Sequence, residues 1–131
     1  MISRNALLCA IAIASSFNLT ASALGQEEAE RRHAAMGQTV RLEGHVNYAR
    51  HCTEVIPTAI SVVQAPQHGT LEVRGEVVRS AHPELGHGSK CAGASGMGKV
   101  VYYTRTSQGA DVFAYDSVSS NGVVHFHVTV Q

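Results

Sequence analysis

From Gly37 to the end of the chain, apolar and β-branched residues fall into short runs closed by Gly, Pro, Asn or Ser, and the 3.6-residue period of an amphipathic helix is missing. Runs of this texture read as strands, and a chain made of them is expected to be all-β. Candidate strands are 39–47, 59–64, 70–74, 76–80, 100–106, 112–118 and 123–130. Seven short strands in about 100 residues suggest two sheets packed as a β-sandwich. Residues 81–98 contain too many glycines to read as strand throughout and are expected to form a long flexible loop.

The first 36 residues have a different character. A single early cation, Arg4, precedes an apolar run from Ala6 to Phe17, and small and polar residues follow. That is the layout of a secretory signal peptide. The run is too short to span a bilayer as a helix, which needs roughly 20 residues, and no later segment is long and apolar enough. Cleavage is expected after Ala23 or after Gly25, with Ala23 the better fit, giving a signal peptide over residues 1–23. Residues 24–36 are charged and Ala-rich, with Glu27/Arg31 and Glu28/Arg32 at helical spacing. So short a segment has no apolar face to dock, and it reads as a frayed N-terminal arm ahead of a domain over 37–131.

Export changes what the cysteines mean. Cys9 leaves with the signal peptide, and Cys52 and Cys91 remain in a chain addressed to the periplasm or the exterior, where a pair of cysteines is expected to close a disulfide. The enclosed loop, about 38 residues, makes that bond worth roughly 4 kcal/mol by chain entropy. The formal net charge of the chain is zero and its basic residues are scattered, so no nucleic-acid partner is expected.

The last hairpin can be read in more detail. Asn121-Gly122 is the pair preferred in a two-residue type I′ turn. Centred there, the turn sets Ser117 opposite Phe126, Tyr115 opposite Val128 and Phe113 opposite Val130 on an apolar, inward side. Asp116 and His127 then face each other on the outward side, with His125 nearby. Two imidazoles two apart on one strand face can share a Cu or Zn ion, with Asp116 as third ligand or as a hydrogen-bond acceptor behind them. His125, His127 and Asp116 are therefore the candidate metal residues; the alternative is a solvent-facing strand whose Asp/His pair contributes a few tenths of a kcal/mol. His82 and His87, with or without His45 or His51, form a second and weaker histidine set, and His68 reads as an exposed turn residue.

Other residues carry a resemblance. Pro66-Gln67-His68-Gly69-Thr70 is a Pro-x-x-Gly turn opening a hairpin, Gly109-Ala110-Asp111-Val112-Phe113-Ala114-Tyr115 is a Gly-x-Asp-x-Phe-x-Tyr strand, and Gly122 leads a final strand of alternating Val and Thr. Over about residues 58–131 the chain resembles the immunoglobulin-like, cadherin-like modules of bacterial surface and secreted proteins. The resemblance implies an immunoglobulin-like β-sandwich and a role as spacer, adhesive unit or binding domain. The chain departs from the pattern at Tyr103-Thr104-Arg105, where the family has Tyr-x-Pro, and with two Asp it lacks the acidic clusters of calcium-binding relatives.

No Gly-x-Ser-x-Gly or His-Glu-x-x-His segment supplies a catalytic constellation, and the stretch Gly93 to Lys99 lacks the Gly-Lys-Ser/Thr ending of a phosphate loop. The expected function is that of a non-enzymatic binding or structural module contacting a protein or cell-envelope partner, without a cofactor. Cu or Zn binding by the surface histidines is the alternative, and an enzyme the third.

Overall fold

The computed structural model describes residues 25–80 and 91–131. The expected signal peptide over residues 1–23, Cys9, His82 and His87 lie outside them. Nine strands follow in order: β1 (Gln26–Arg32), β2 (Thr39–His45), β3 (Asn47–Tyr48), β4 (Val55–Ile56), β5 (Ala59–Gln64), β6 (Gly69–Arg79), β7 (Ser95–Arg105), β8 (Asp111–Ser119) and β9 (Gly122–Val130). A 3-10 turn at Arg50–Cys52 interrupts them, and there is no α-helix among the described residues. One sheet has the order β1-β9-β8-β5, a second β2-β7-β6, and β3 pairs with β4 alone.

Alternation along the strands explains how the sheets meet. Phe113 and Tyr115 of β8 and Val124, Phe126, Val128 and Val130 of β9 point one way, Leu42, Val101 and Tyr103 of the second sheet point back at them, and all join one buried cluster. Rings stack inside it, Tyr103 on Phe113 and Tyr115 on Phe126, with centroids 5.4 and 5.1 Å apart. Stacked pairs of this kind add about 0.5–1.5 kcal/mol each beyond area burial.

Three elements differ from expectation. Residues 26–32 are a strand, not a frayed arm: β1 runs parallel to β9 from Gln26↔Val124 to Arg32↔Val130. Its charges suit a sheet edge, and what orders it is the row of β9 backbone groups that need partners, a non-local cause. Next, 70–74 and 76–80 are one strand, β6, whose ladder with β7 runs unbroken from Gly69↔Arg105 to Arg79↔Ser95. Finally, β7 begins at Ser95, inside the stretch read as loop. Gly96 and Gly98 are there because the chain is crowded: a Cβ on Gly98 would strike the His45 carbonyl, and one on Gly96 would lie 2.6 Å from Val55.

This far half of the β6–β7 hairpin runs past the main core and has its own packing. Tyr48, Val78, Cys91 and Val100 are buried but stand outside the main cluster. The Cys52–Cys91 disulfide, with Cα atoms 5.4 Å apart, ties the 3-10 turn to the residues leading into β7.

Candidate binding surface

The outward histidines, His125 and His127, are placed by the last hairpin. Ser119 pairs with Gly122, so the two turn residues are Ser120 and Asn121, and Gly122, with φ +133°, opens β9. The Asn121 amide donates to the Tyr48 carbonyl at 3.2 Å, which anchors the turn to β3. The register is therefore two positions from the expected one: Tyr115 faces Phe126, Phe113 faces Val128, and Asp116 faces His125 rather than His127. An even shift leaves every side chain on its expected face.

The carboxylates divide the two imidazoles between them. His125 Nδ1 lies 2.6 Å from Asp116 Oδ1, and His127 Nε2 lies 2.6 Å from Glu27 Oε2 on β1. Among the described residues no three His, Cys, Asp or Glu side chains gather where one metal ion could take them all. His125, His127 and Asp116 thus form two separate imidazole–carboxylate contacts that include Glu27. His45 is a core residue, fully buried, with Nε2 2.8 Å from the Tyr115 hydroxyl and its ring edge-on to Phe126. His51 sits in the 3-10 turn with φ 70°. His68 bonds Ser107 through Nδ1 at 3.1 Å, beside Gly109.

The Asp of the Gly-x-Asp-x-Phe-x-Tyr segment has a structural task. Asp111 is 1% exposed and accepts from the Gln67 amide at 2.8 Å, the His68 amide at 2.9 Å and the Tyr103 hydroxyl at 2.7 Å. Burial pushes its carboxyl up, but these three donors outweigh burial and hold it below the ordinary value. Burial, reinforced by the carboxylate, pushes Tyr103 up to about 12. Arg105, also buried, donates to the backbone carbonyls of Ala34 and Val130, fastening the connection after β1 and the end of β9 to β7. Gly69 follows from the same knot, since a Cβ there would collide with the Tyr103 ring.

Two concavities escaped the sequence reading. One, of about 610 Å³, lies between β1, β2 and the end of β6, with Glu30 in its wall and Arg31, Arg32, Arg41 and Arg79 around it. Glu30 Oε1 meets Arg32 at 2.5 Å and the Glu43 amide at 3.2 Å, while buried Oε2 has no hydrogen-bond partner among the described residues. Burial pushes this carboxyl up, and Arg32 offsets only part of the effect. The other, of about 550 Å³, is an apolar groove between the β4 segment and the β6–β7 hairpin, lined by Val55, Ile56, Pro57, Gly75, Met97 and Gly98. Met97 and its cross-strand neighbour Val77 are 61% and 64% exposed. Neither could be read from local pattern, because the groove walls come from segments about 40 residues apart in the chain, brought together by the disulfide-tied end.

No family model matches the chain, and neither the curated proteins nor the solved structures give a match. Among the described residues no helix is long and apolar enough to cross a membrane. The disulfide points to an oxidising, extracytoplasmic compartment.

Proposed function

We propose that the chain is an exported module of immunoglobulin-like β-sandwich architecture, periplasmic or secreted, that binds a protein partner of the cell envelope by surface complementarity. The architectural part is supported by the sheet orders β1-β9-β8-β5 and β2-β7-β6, the shared core between them and the parallel edge strand β1. The binding part rests on one observation: the groove at Val55, Ile56, Pro57 and Met97 leaves Val55 and Met97 exposed at the end of the molecule that carries the disulfide. Full burial of an aliphatic side chain is worth roughly 1.5–3 kcal/mol, and an apolar segment of a partner recovers the share that Val55 and Met97, 37% and 61% exposed, still leave in water.

Position-specific photocrosslinking in intact cells tests the reading. A crosslinker at Met97 is expected to give a discrete adduct that disappears when Val55→Glu is introduced, while one at Val112, exposed on the other sheet, gives none. Equal labelling from both positions, or no adduct at Met97, would dispose of the groove as the binding surface.

A further inference from the structure

The two larger sheets have four edge strands, and three of them carry features that discourage pairing with another chain. β1 is short and has five charged residues in seven, and the ladders of β2 and β5 are broken by register shifts at Arg41/Gly44 and Val62/Gln64. β6 carries charges too, but they alternate in sign, and the strand is neither short nor broken in register. It is 11 residues long, contains no Pro, pairs with β7 without a break, and among the described strands pairs with β7 alone on its ladder. Val73 and Val77 lie on one of its faces at 42% and 64% exposure, and Glu72, Arg74 and Glu76 alternate on the other.

We propose that β6 is a self-recognition edge, pairing antiparallel with β6 of a second copy about a twofold axis at Gly75. An antiparallel pair related by such an axis must set one residue opposite its own copy, so the possible registers are few. With Gly75 at the axis, Arg74 faces the second copy's Glu76, Val73 faces the second copy's Val77, and both contacts occur twice. The residue on the axis has no side chain to clash. With Arg74 at the axis, two arginines meet and Glu72 opposes Glu76. With Glu76 there, two carboxylates meet and Arg74 opposes Val78. Placing Val73 there pairs Glu72 with Arg74 but leaves Val77 opposite Gly69. Of these four, the Gly75 register alone joins Arg74 with Glu76 and both exposed valines with each other, at the cost of setting Glu72 opposite Val78.

The charged row is already ordered for this. The Arg74 guanidinium lies 4.2 Å from the Tyr102 ring centroid and holds Glu72 with two hydrogen bonds, and Glu76 accepts from Tyr102 at 2.7 Å and from Arg41 at 3.0 Å. Little side-chain freedom is then left to lose on pairing. The result is one continuous sheet, β2-β7-β6 followed by its copy, with the open edge consumed. Gly75 also lines the apolar groove, so the self-pairing edge and the groove adjoin, but the charge exchange at Arg74 and Glu76 lies on the other face of β6 and reads the pairing separately from groove binding.

Sedimentation of the full chain, produced through an oxidising secretion route so that the disulfide forms, provides the test. The wild type is expected to be dimeric at about 100 µM, an ordinary affinity for a small interface. Arg74→Glu and Glu76→Arg should each weaken the dimer at least about tenfold, since each sets like charges opposite one another twice. An equimolar mixture of these two variants should recover a heterodimer, because both cross pairs become complementary, and the double variant Arg74→Glu/Glu76→Arg should recover a homodimer even if a single variant folds poorly. A wild type that stays monomeric at about 100 µM overturns the proposal. So does a dimer unaffected by the single changes, or a mixture and a double variant that both remain monomeric.

Discussion

Replacing Asp111 by Asn keeps the size of the side chain and removes its charge, so it isolates what the carboxylate contributes. In the wild type that carboxylate satisfies two backbone amides of the 66–69 turn and the Tyr103 hydroxyl, all within 2.9 Å, at a site with almost no solvent. Hydrogen bonds to a charged acceptor are worth about 1.5–3 kcal/mol each. An Asn oxygen can accept at most part of the set, and its amide group then points at a donor. The expected loss is about 3–5 kcal/mol at neutral pH, within the range seen when a buried network is broken. The pH dependence has a definite sign. The folded-state pKa of Asp111 is lowered, so the stability it adds is present above the unfolded value, about 3.9, and is lost as pH falls through the folded value. Urea unfolding of wild type and Asp111→Asn under oxidising conditions should give curves well apart at pH 7 that converge as the pH is taken below about 4. Tyr103→Phe in the same background should be strongly non-additive with Asp111→Asn, because both changes break one contact. A loss below about 1 kcal/mol at pH 7, or a gap of the same size in acid, would refute this account of the knot.

Opening the Cys52–Cys91 bond by a double Cys→Ser change should cost roughly 4 kcal/mol in urea unfolding, from the separation of 39 residues between the cysteines. Gly98→Ala should cost about 1–3 kcal/mol, since the new methyl meets the His45 backbone carbonyl rather than a side chain that can turn away, and thermal unfolding will read it. For Glu30, whose carboxyl is pushed up by burial, the sign is opposite to that of Asp111: its contribution is fully present below the ordinary value of 4.5 and falls away as pH rises through the higher folded value. The wild type should therefore lose stability relative to Glu30→Gln between pH 4.5 and neutrality, measured as the difference in urea midpoint at the two pH values.

These predictions fall on residues of uneven legibility. Side-chain alternation in β8 and β9 identified the buried face correctly, Phe113, Tyr115, Phe126 and Val128 included, because a strand's period of two is local. It could not identify neighbours. The register of the last hairpin is held by the Asn121 amide reaching the Tyr48 carbonyl, a contact across 73 positions, and the two-position shift that results hands Asp116 from His127 to His125. β1 shows the same limit from another side: no propensity in Gln-Glu-Glu-Ala-Glu-Arg-Arg favours a strand, and β9 imposes one because its backbone needs a partner. Gly96 and Gly98 were read as signs of flexibility when they are signs of close approach, which only the position of Val55 and His45 reveals. Local pattern thus reports which way a side chain faces, and tertiary contact decides whom it meets. A site that needs three particular side chains at one point depends on the second kind of information. An edge strand depends mostly on the first, and for that reason the alternation of Glu72, Arg74 and Glu76 with Val73 and Val77 can specify a partner strand from within 69–79 alone.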